Sequence, residues 1–255
     1  MTDHMYRTIL LFDIEQYGSR DDVEQAYLRR VLYDVVDATL LGASVDDTAR
    51  LRADRGDSVM ELIDTQVPVP VLVKTLLTET PALLHNKNRL LARSAQMRLR
   101  IVLSAGYVAV DELDGWVGSD LNHAVRLLDS APLRTALKQR DADSVLCVSD
   151  GIYQGVVRHG PLGVRPKEFH RVTVETKEGP TVAWLHGEPS PAGNPGEKQQ
   201  EEQGEARRPR PASVDLGNAS FGGSYVAGNQ HGVSGGQVTG DVVMGSKTTE
   251  RGGRE

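Results

Sequence analysis

From Glu188 to Ser213 this chain supplies no large apolar side chain. The stretch "EPSPAGNPGEKQQEEQGEARRPRPAS" is built from Pro, Glu, Gln and Arg. Such a segment cannot bury enough apolar surface to offset the entropy of ordering it. A hydrophobic core therefore has to come from residues 1–187, the length of one ordinary domain. Residues 188–212 read as a disordered linker, 213–246 as a Gly-rich segment of a different kind, and 247–255 as a disordered end.

Within the first 187 residues the patterning predicts an alternation of strands and helices. "TILLFDI" (Thr8 to Ile14) reads as a buried strand that ends on an acid. "DDVEQAYLRRVLYDVVDATLL" places Val23, Leu28, Val31, Leu32, Val35 and Val36 on one face of a helix. Asp21 and Asp22 suit its positive N-terminus. "ARLRADRGDSVMELI" predicts a β-hairpin, and "PVLVKTLL" opens a helix at Pro70 that Pro81 should disturb. "MRLRIVLSAGYVAV" reads as a strand bent at Gly106. Helices follow over "LNHAVRLLDS" and from Pro132 through "LRTALKQ", then the strand "SVLCVS" and the short helix "DGIYQGVV". "FHRVTVET" and "TVAWLHG" close the domain as a hairpin around "KEGP". The order predicts an α+β or α/β sandwich whose strand pairs are antiparallel.

Several function classes fit poorly. A formal net charge of -6 argues against non-specific nucleic-acid binding and against attachment to anionic membranes. No stretch is apolar and long enough to span a bilayer. The apolar run near the start is short and ends in Asp13, unlike a signal peptide. A single cysteine, Cys147, rules out a disulfide within the chain and suits a reducing cytoplasm. Its setting, "SVLCVSD", points to core packing rather than to a nucleophile. There is no Walker A loop, no dinucleotide fingerprint and no nucleophile elbow, and the histidines lack metal-ligand spacing. His123 has no evident partner acid or nucleophile and receives no role.

One constellation carries chemistry. Asp13 ends the first strand, and Asp57 follows Gly56 at the tip of the predicted hairpin. If the hairpin packs beside strand one, two carboxylates converge, and an oxygen-only site of that kind suits Mg²⁺ or Mn²⁺. The residues Ile14, Glu15, Gln16, Tyr17 and Gly18 lead from Asp13 toward a helix, so their backbone N–H groups and the helix N-terminus can cradle phosphates. Asn122 and Arg126 stand i, i+4 on one helix face, a neutral donor beside a fixed cation. That pair suits a ribose and a developing phosphoryl charge. Each piece also has a plain structural reading. Asp13 can solvate a strand end, Asp57 can be an ordinary turn residue, Asn122 a cap and Arg126 a solvated charge.

In combination and order, the motifs resemble the catalytic domain of class III nucleotidyl cyclases over roughly Thr8 to His186. "LLFDIEQYG" resembles the family's first strand and loop, "DRGDSVMELI" its metal-binding hairpin, and "GSDLNHAVRLLD" its Asn-x-x-x-Arg helix. The resemblance implies a ferredoxin-like α+β sandwich with an antiparallel-rich sheet and helices packed on it. It implies Asp13 and Asp57 as ligands for Mg²⁺ or Mn²⁺, Asn122 orienting the ribose, and Arg126 stabilising the transition state. The implied activity converts a nucleoside triphosphate to a cyclic nucleotide and pyrophosphate. The implied assembly is a homodimer whose sites draw the metal acids from one subunit and the Asn/Arg helix from the other.

The chain departs from adenylyl cyclases where the base is read. Ala53 stands near the position of a Lys, and Gly115, Trp116 and Val117 near that of an Asp; Asp54 and Asp114 are close but out of step. The pattern is closer to divergent bacterial cyclase-like domains, including those that make pyrimidine cyclic nucleotides in antiphage defence. A non-catalytic homologue acting as a nucleotide-binding or dimerising adaptor is the alternative reading. The segment "GNASFGGSYVAGNQHGVSGGQVTGDVVMG" has two readings as well. It is a flexible Gly-rich tail, or it is a self-assembly motif in which Val233, Val238 and Val242 recur and Asn229 and Gln230 form ladders. It resembles bacterial amyloid signalling motifs, which would imply a partner protein with a matching motif.

Overall fold

The structure, a computed structural model, describes residues 3–113 and 115–189. These belong to the first of two compact units, Met1–Lys198. The second unit, with the Gly-rich segment and all but the first two residues of the expected linker, lies outside the described residues.

Among the described residues eight strands form one sheet: β1 (Met5–Ile14), β2 (Arg50–Asp54), β3 (Ser58–Ile63), β4 (Leu99–Val110), β5 (Trp116–Val117), β6 (Ser144–Ser149), β7 (Phe169–Thr176) and β8 (Gly179–His186). Their spatial order is β2-β3-β1-β4-β6-β8-β7, and β5 pairs with β4. The helices are α1 (Asp22–Gly42), α2 (Val69–Asn88), α3 (Ser119–Leu128), α4 (Ala131–Gln139) and α5 (Asp150–Gly155). The outcome is an α+β sandwich with a mostly antiparallel sheet and helices packed on it.

The unbroken apolar run of β1 is explained by its central place. Ile9, Leu10, Leu11 and Phe12 have no exposed surface, because helices cover the sheet on both sides. Leu10, Phe12 and Ile14 join a core with Leu28 and Leu32 of α1, Leu72 of α2 and Ile152 of α5. Ile9 and Leu11 join a second core with Leu121 of α3 and Leu133 of α4. Successive strand residues alternate between faces, so Asp13 follows Leu11 onto the α3/α4 side.

Four local expectations change. The pair β4–β6 is parallel, because α3 and α4 form a crossover that returns the chain in its original direction. β4 runs unbroken through Gly106, which stands opposite Arg7 in the ladder. Gly106 serves close approach instead: a Cβ there would fall on the Asp120 side chain, which accepts the Tyr107 N–H at 2.7 Å. Pro81 lies inside α2 without ending it. Val23 sits in the first turn of α1, ahead of the sheet, and is 79% exposed rather than part of the core face. Asp21 caps α1 as its charge suggested, accepting the N–H groups of Val23 and Glu24. Among the described residues no helix is long and apolar enough to cross a membrane.

Candidate active site

Asp13 is the penultimate residue of β1 and has a strand on either side. Ser58 of β3 faces it across one ladder and Arg100 of β4 across the other. Its side chain is almost fully enclosed. The Arg100 guanidinium donates to Oδ2 through Nε at 2.9 Å and through Nη2 as well. Burial pushes the Asp13 carboxyl up to about 6, against the opposing pull of Arg100, with Asp57 and Asp129 adding to the rise.

The hairpin β2–β3 brings Asp57 to this place. Gly56 adopts φ 88°, a left-handed conformation that glycine takes without strain, and this turns the chain between the two strands. The Ile14 N–H then donates to the Asp57 carbonyl at 3.0 Å, fixing the hairpin tip against the end of β1. The Asp57 backbone therefore lies against the end of β1, and its charge is felt at Asp13. Two carboxylates, one of them raised toward neutral by its surroundings, fit a divalent cation, which would offset their mutual repulsion. Among the described residues no group of three or more His, Cys, Asp or Glu side chains could hold a metal ion. Two acids alone leave most of a metal's coordination to water and to phosphate oxygens.

The loop from Ile14 to Gly18 is anchored at its start. Glu15 donates its N–H to the Arg98 carbonyl at 2.9 Å and pairs its carboxylate with Arg98 at 3.0 Å. Gln16 is left-handed, at φ 57°, and Tyr17–Ser19 form a 3-10 turn ahead of α1. The first turn of α1 is already capped by the Asp21 carboxylate, so any phosphate cradle here is the turn at Gln16–Gly18 rather than the helix end.

Asn122 and Arg126 share a face of α3. Asn122 is exposed, and Arg126 forms a two-bond ion pair with Glu178 in the β7–β8 turn, one arm at 2.6 Å. Burial holds the neighbouring His123 below the usual imidazole range, against Asp120. The charges acting on Asp13 come from Arg100, Asp57 and Asp129, whereas Arg126 answers to Glu178. The hairpin tip at Asp57 is thus joined to the end of β1 at Asp13, and Arg126 is engaged by Glu178. At the places that read the base in adenylyl cyclases, Ala53 and Trp116 are half-buried, and each packs against the α3/α4 core. Asp54 is engaged by Arg29, Tyr33 and Gly56.

Arg100 and Glu178 were not anticipated. A charged residue inside the otherwise apolar run "LRIVL" was the available signal for Arg100. Glu178 lies 52 residues from Arg126, and only the folded β7–β8 turn brings it near.

This sheet order and these helices define the fold of class III nucleotidyl cyclase catalytic domains. A guanylyl cyclase, Cya2, aligns at a TM-score of 0.50 and 16% identity, covering 75% of this chain and 96% of its own. An adenylate/guanylate cyclase/hydrolase from Silicibacter pomeroyi aligns at 0.52 and 17%, covering 74% and 100%. A bacterial light-regulated adenylyl cyclase aligns at 0.50 and 14%, covering 72% and 91%. No family model matches the sequence, and no curated protein does.

Proposed function

We propose that residues 1–187 form a nucleotidyl cyclase-like effector that converts a nucleoside triphosphate to a cyclic nucleotide and pyrophosphate. The observation that carries this reading is the meeting of Asp13 and Asp57 on the cyclase fold. Asp13 and Asp57 would hold Mg²⁺ or Mn²⁺, which when bound acidifies the ribose 3′-hydroxyl and neutralises triphosphate charge. Arg100 holds the Asp13 carboxylate by one oxygen. The turn from Ile14 through Glu15, Gln16 and Tyr17 to Gly18 offers backbone N–H groups to phosphates. Asn122 would orient the ribose and Arg126 take up charge developing on the phosphoryl oxygens. As the family resemblance implies, a homodimer with shared sites would bring the acids of one subunit to the Asn/Arg helix of the other. Ala53 and Trp116 supply no charged pair for adenine, so the base is left to experiment.

The same proposal extends to the tail: residues 188–212 tether residues 213–246, an assembly motif that a partner carrying a matching motif would template, in a bacterial defence setting. Its support is the sequence layout of domain, linker and Val-bearing Gly-rich end. A second reading, a non-catalytic nucleotide-binding or dimerising module, is favoured by one observation: Arg126 is already engaged by Glu178. The deciding experiment incubates pure protein with each of the four NTPs and Mg²⁺ or Mn²⁺, reading out pyrophosphate and cyclic product. Turnover of one NTP supports the cyclase; failure on all four supports the module.

A further inference from the structure

Asp54 stands at the end of β2, three residues before Asp57, and it spends its carboxylate on the hairpin turn itself. Oδ1 accepts the Gly56 N–H at 2.7 Å. Oδ2 accepts the Tyr33 hydroxyl at 2.8 Å and an arm of Arg29. Tyr33 and Arg29 both belong to α1, the helix that begins just after the loop from Ile14 to Gly18. One side chain therefore bends the turn locally, as Asx residues do, and fastens it to the helix beside it. On the far side of the turn the Asp57 carbonyl accepts the Ile14 N–H, and the Arg55 N–H reaches the Ser58 carbonyl at 2.9 Å. The Asp57 backbone is thus gripped from β1 on one side and, through Gly56 and Asp54, from α1 on the other.

We infer that Asp54 is a positioning residue for Asp57: it sets where the second carboxylate stands relative to Asp13, and it does not read the nucleobase. This rests on the metal-binding reading above. A carboxylate with one oxygen bonded to the turn and the other to Tyr33 and Arg29 is oriented by the hairpin and α1 rather than free to swing toward a base. The contacts differ in weight. The Arg29 pair is half-exposed and counts least, because solvent screens it. The Gly56 and Tyr33 bonds fix direction as well as distance, and a metal ligand displaced by an ångström loses its partner.

The test measures binding of Mn²⁺ alone by electron paramagnetic resonance, without nucleotide, alongside thermal unfolding. Asp57→Ala is the control that loses binding. Asp54→Ala should weaken Mn²⁺ about tenfold, as supporting partners of metal ligands do when removed. Asp54→Asn should stay within about threefold of wild type, because its amide oxygen still accepts from Gly56 or Tyr33. That rescue would not be seen if only the Arg29 ion pair mattered, and a loss of Mn²⁺ affinity in Asp54→Ala without a matching fall in its unfolding temperature excludes bulk stability. Wild-type affinity in folded Asp54→Ala overturns the proposal while leaving the metal site intact. Should Asp54→Ala fail to fold, Tyr33→Phe takes its place: a loss of about threefold supports the proposal, and unchanged affinity overturns it. If the wild type binds no Mn²⁺, the metal reading fails and this inference falls with it.

Discussion

Asp13 and Arg100 face each other across the β1–β4 ladder, and the guanidinium donates two N–H groups to the same carboxylate oxygen. Even so, burial wins: the Asp13 carboxyl is raised from 3.8 to about 6. A carboxyl whose pKa rises on folding holds its proton more tightly in the folded protein than in the unfolded chain. Its stabilising contribution is complete below 3.8 and is lost as pH climbs through about 6. Asp13→Asn, which keeps an acceptor for Arg100, should therefore be more stable than wild type at pH 8, by on the order of 2 kcal/mol. At pH 4 the gain should vanish. Urea unfolding at the two pH values measures this, and a variant weaker than wild type at pH 8 would mean that the Arg100 pair outweighs burial.

Asp57 sits at a hairpin tip and contributes to the fold through its backbone. Asp57→Ala should leave the thermal transition within a few degrees of wild type and lower turnover by about a hundredfold or more. Unchanged turnover would remove Asp57 from the mechanism.

If sites are shared between subunits, Asp13→Ala and Arg126→Ala, each inactive alone, should complement when mixed. Half the dimers would be mixed and each would hold one intact site, so about a quarter of wild-type activity should return. Heterodimers confirmed by mass spectrometry yet devoid of activity would place each site within one chain.

Glu178 occupies Arg126 at the protein surface. Glu178→Gln should leave stability unchanged, since a solvated ion pair contributes little, and should lower KM for the NTP by roughly fivefold at most. A KM that stays put, measured under saturating Mn²⁺, would mean that Glu178 does not compete with substrate.

A peptide spanning Val214 to Gly245 should form fibrils with a cross-β repeat of about 4.7 Å, and Val238→Asp should block them by stacking like charges. Deleting the segment should leave the thermal transition of the first unit nearly unchanged. A peptide that stays monomeric at high concentration, with or without seeds, returns the segment to a flexible tail.

Periodicity was a good guide wherever burial was one-sided or complete. The β1 run, the α1 face and the hairpin around Gly56 all announced themselves through the spacing of apolar residues and one obligatory turn. What pattern could not convey was anything set by a neighbour remote in sequence. Gly106 looked like a kink because nothing local reveals that Asp120 will press against it. The parallel β4–β6 pair depends on where a two-helix crossover lands, which no strand encodes by itself. Asp13, Asp57, Asn122 and Arg126 each sit in a short motif, so the sequence alone could single them out as candidates. Their partners Arg100 and Glu178 were not legible, since ion pairs depend on strand register and turn placement.

The two acids belong to parts of the sheet that should differ in how easily they open. Asp13 lies on a central strand with a neighbour on each side, whereas Asp57 caps a hairpin whose outer strand, β2, is an edge of the sheet among the described residues. Edge hairpins exchange their amide hydrogens through small local openings, while central strands exchange only when much of the domain opens. A cation shared by both carboxylates would bind the closed hairpin and not the open one. Slower amide exchange across β2 and β3, with β1 unchanged, would then register its arrival, turning the edge of the sheet into a reporter of occupancy.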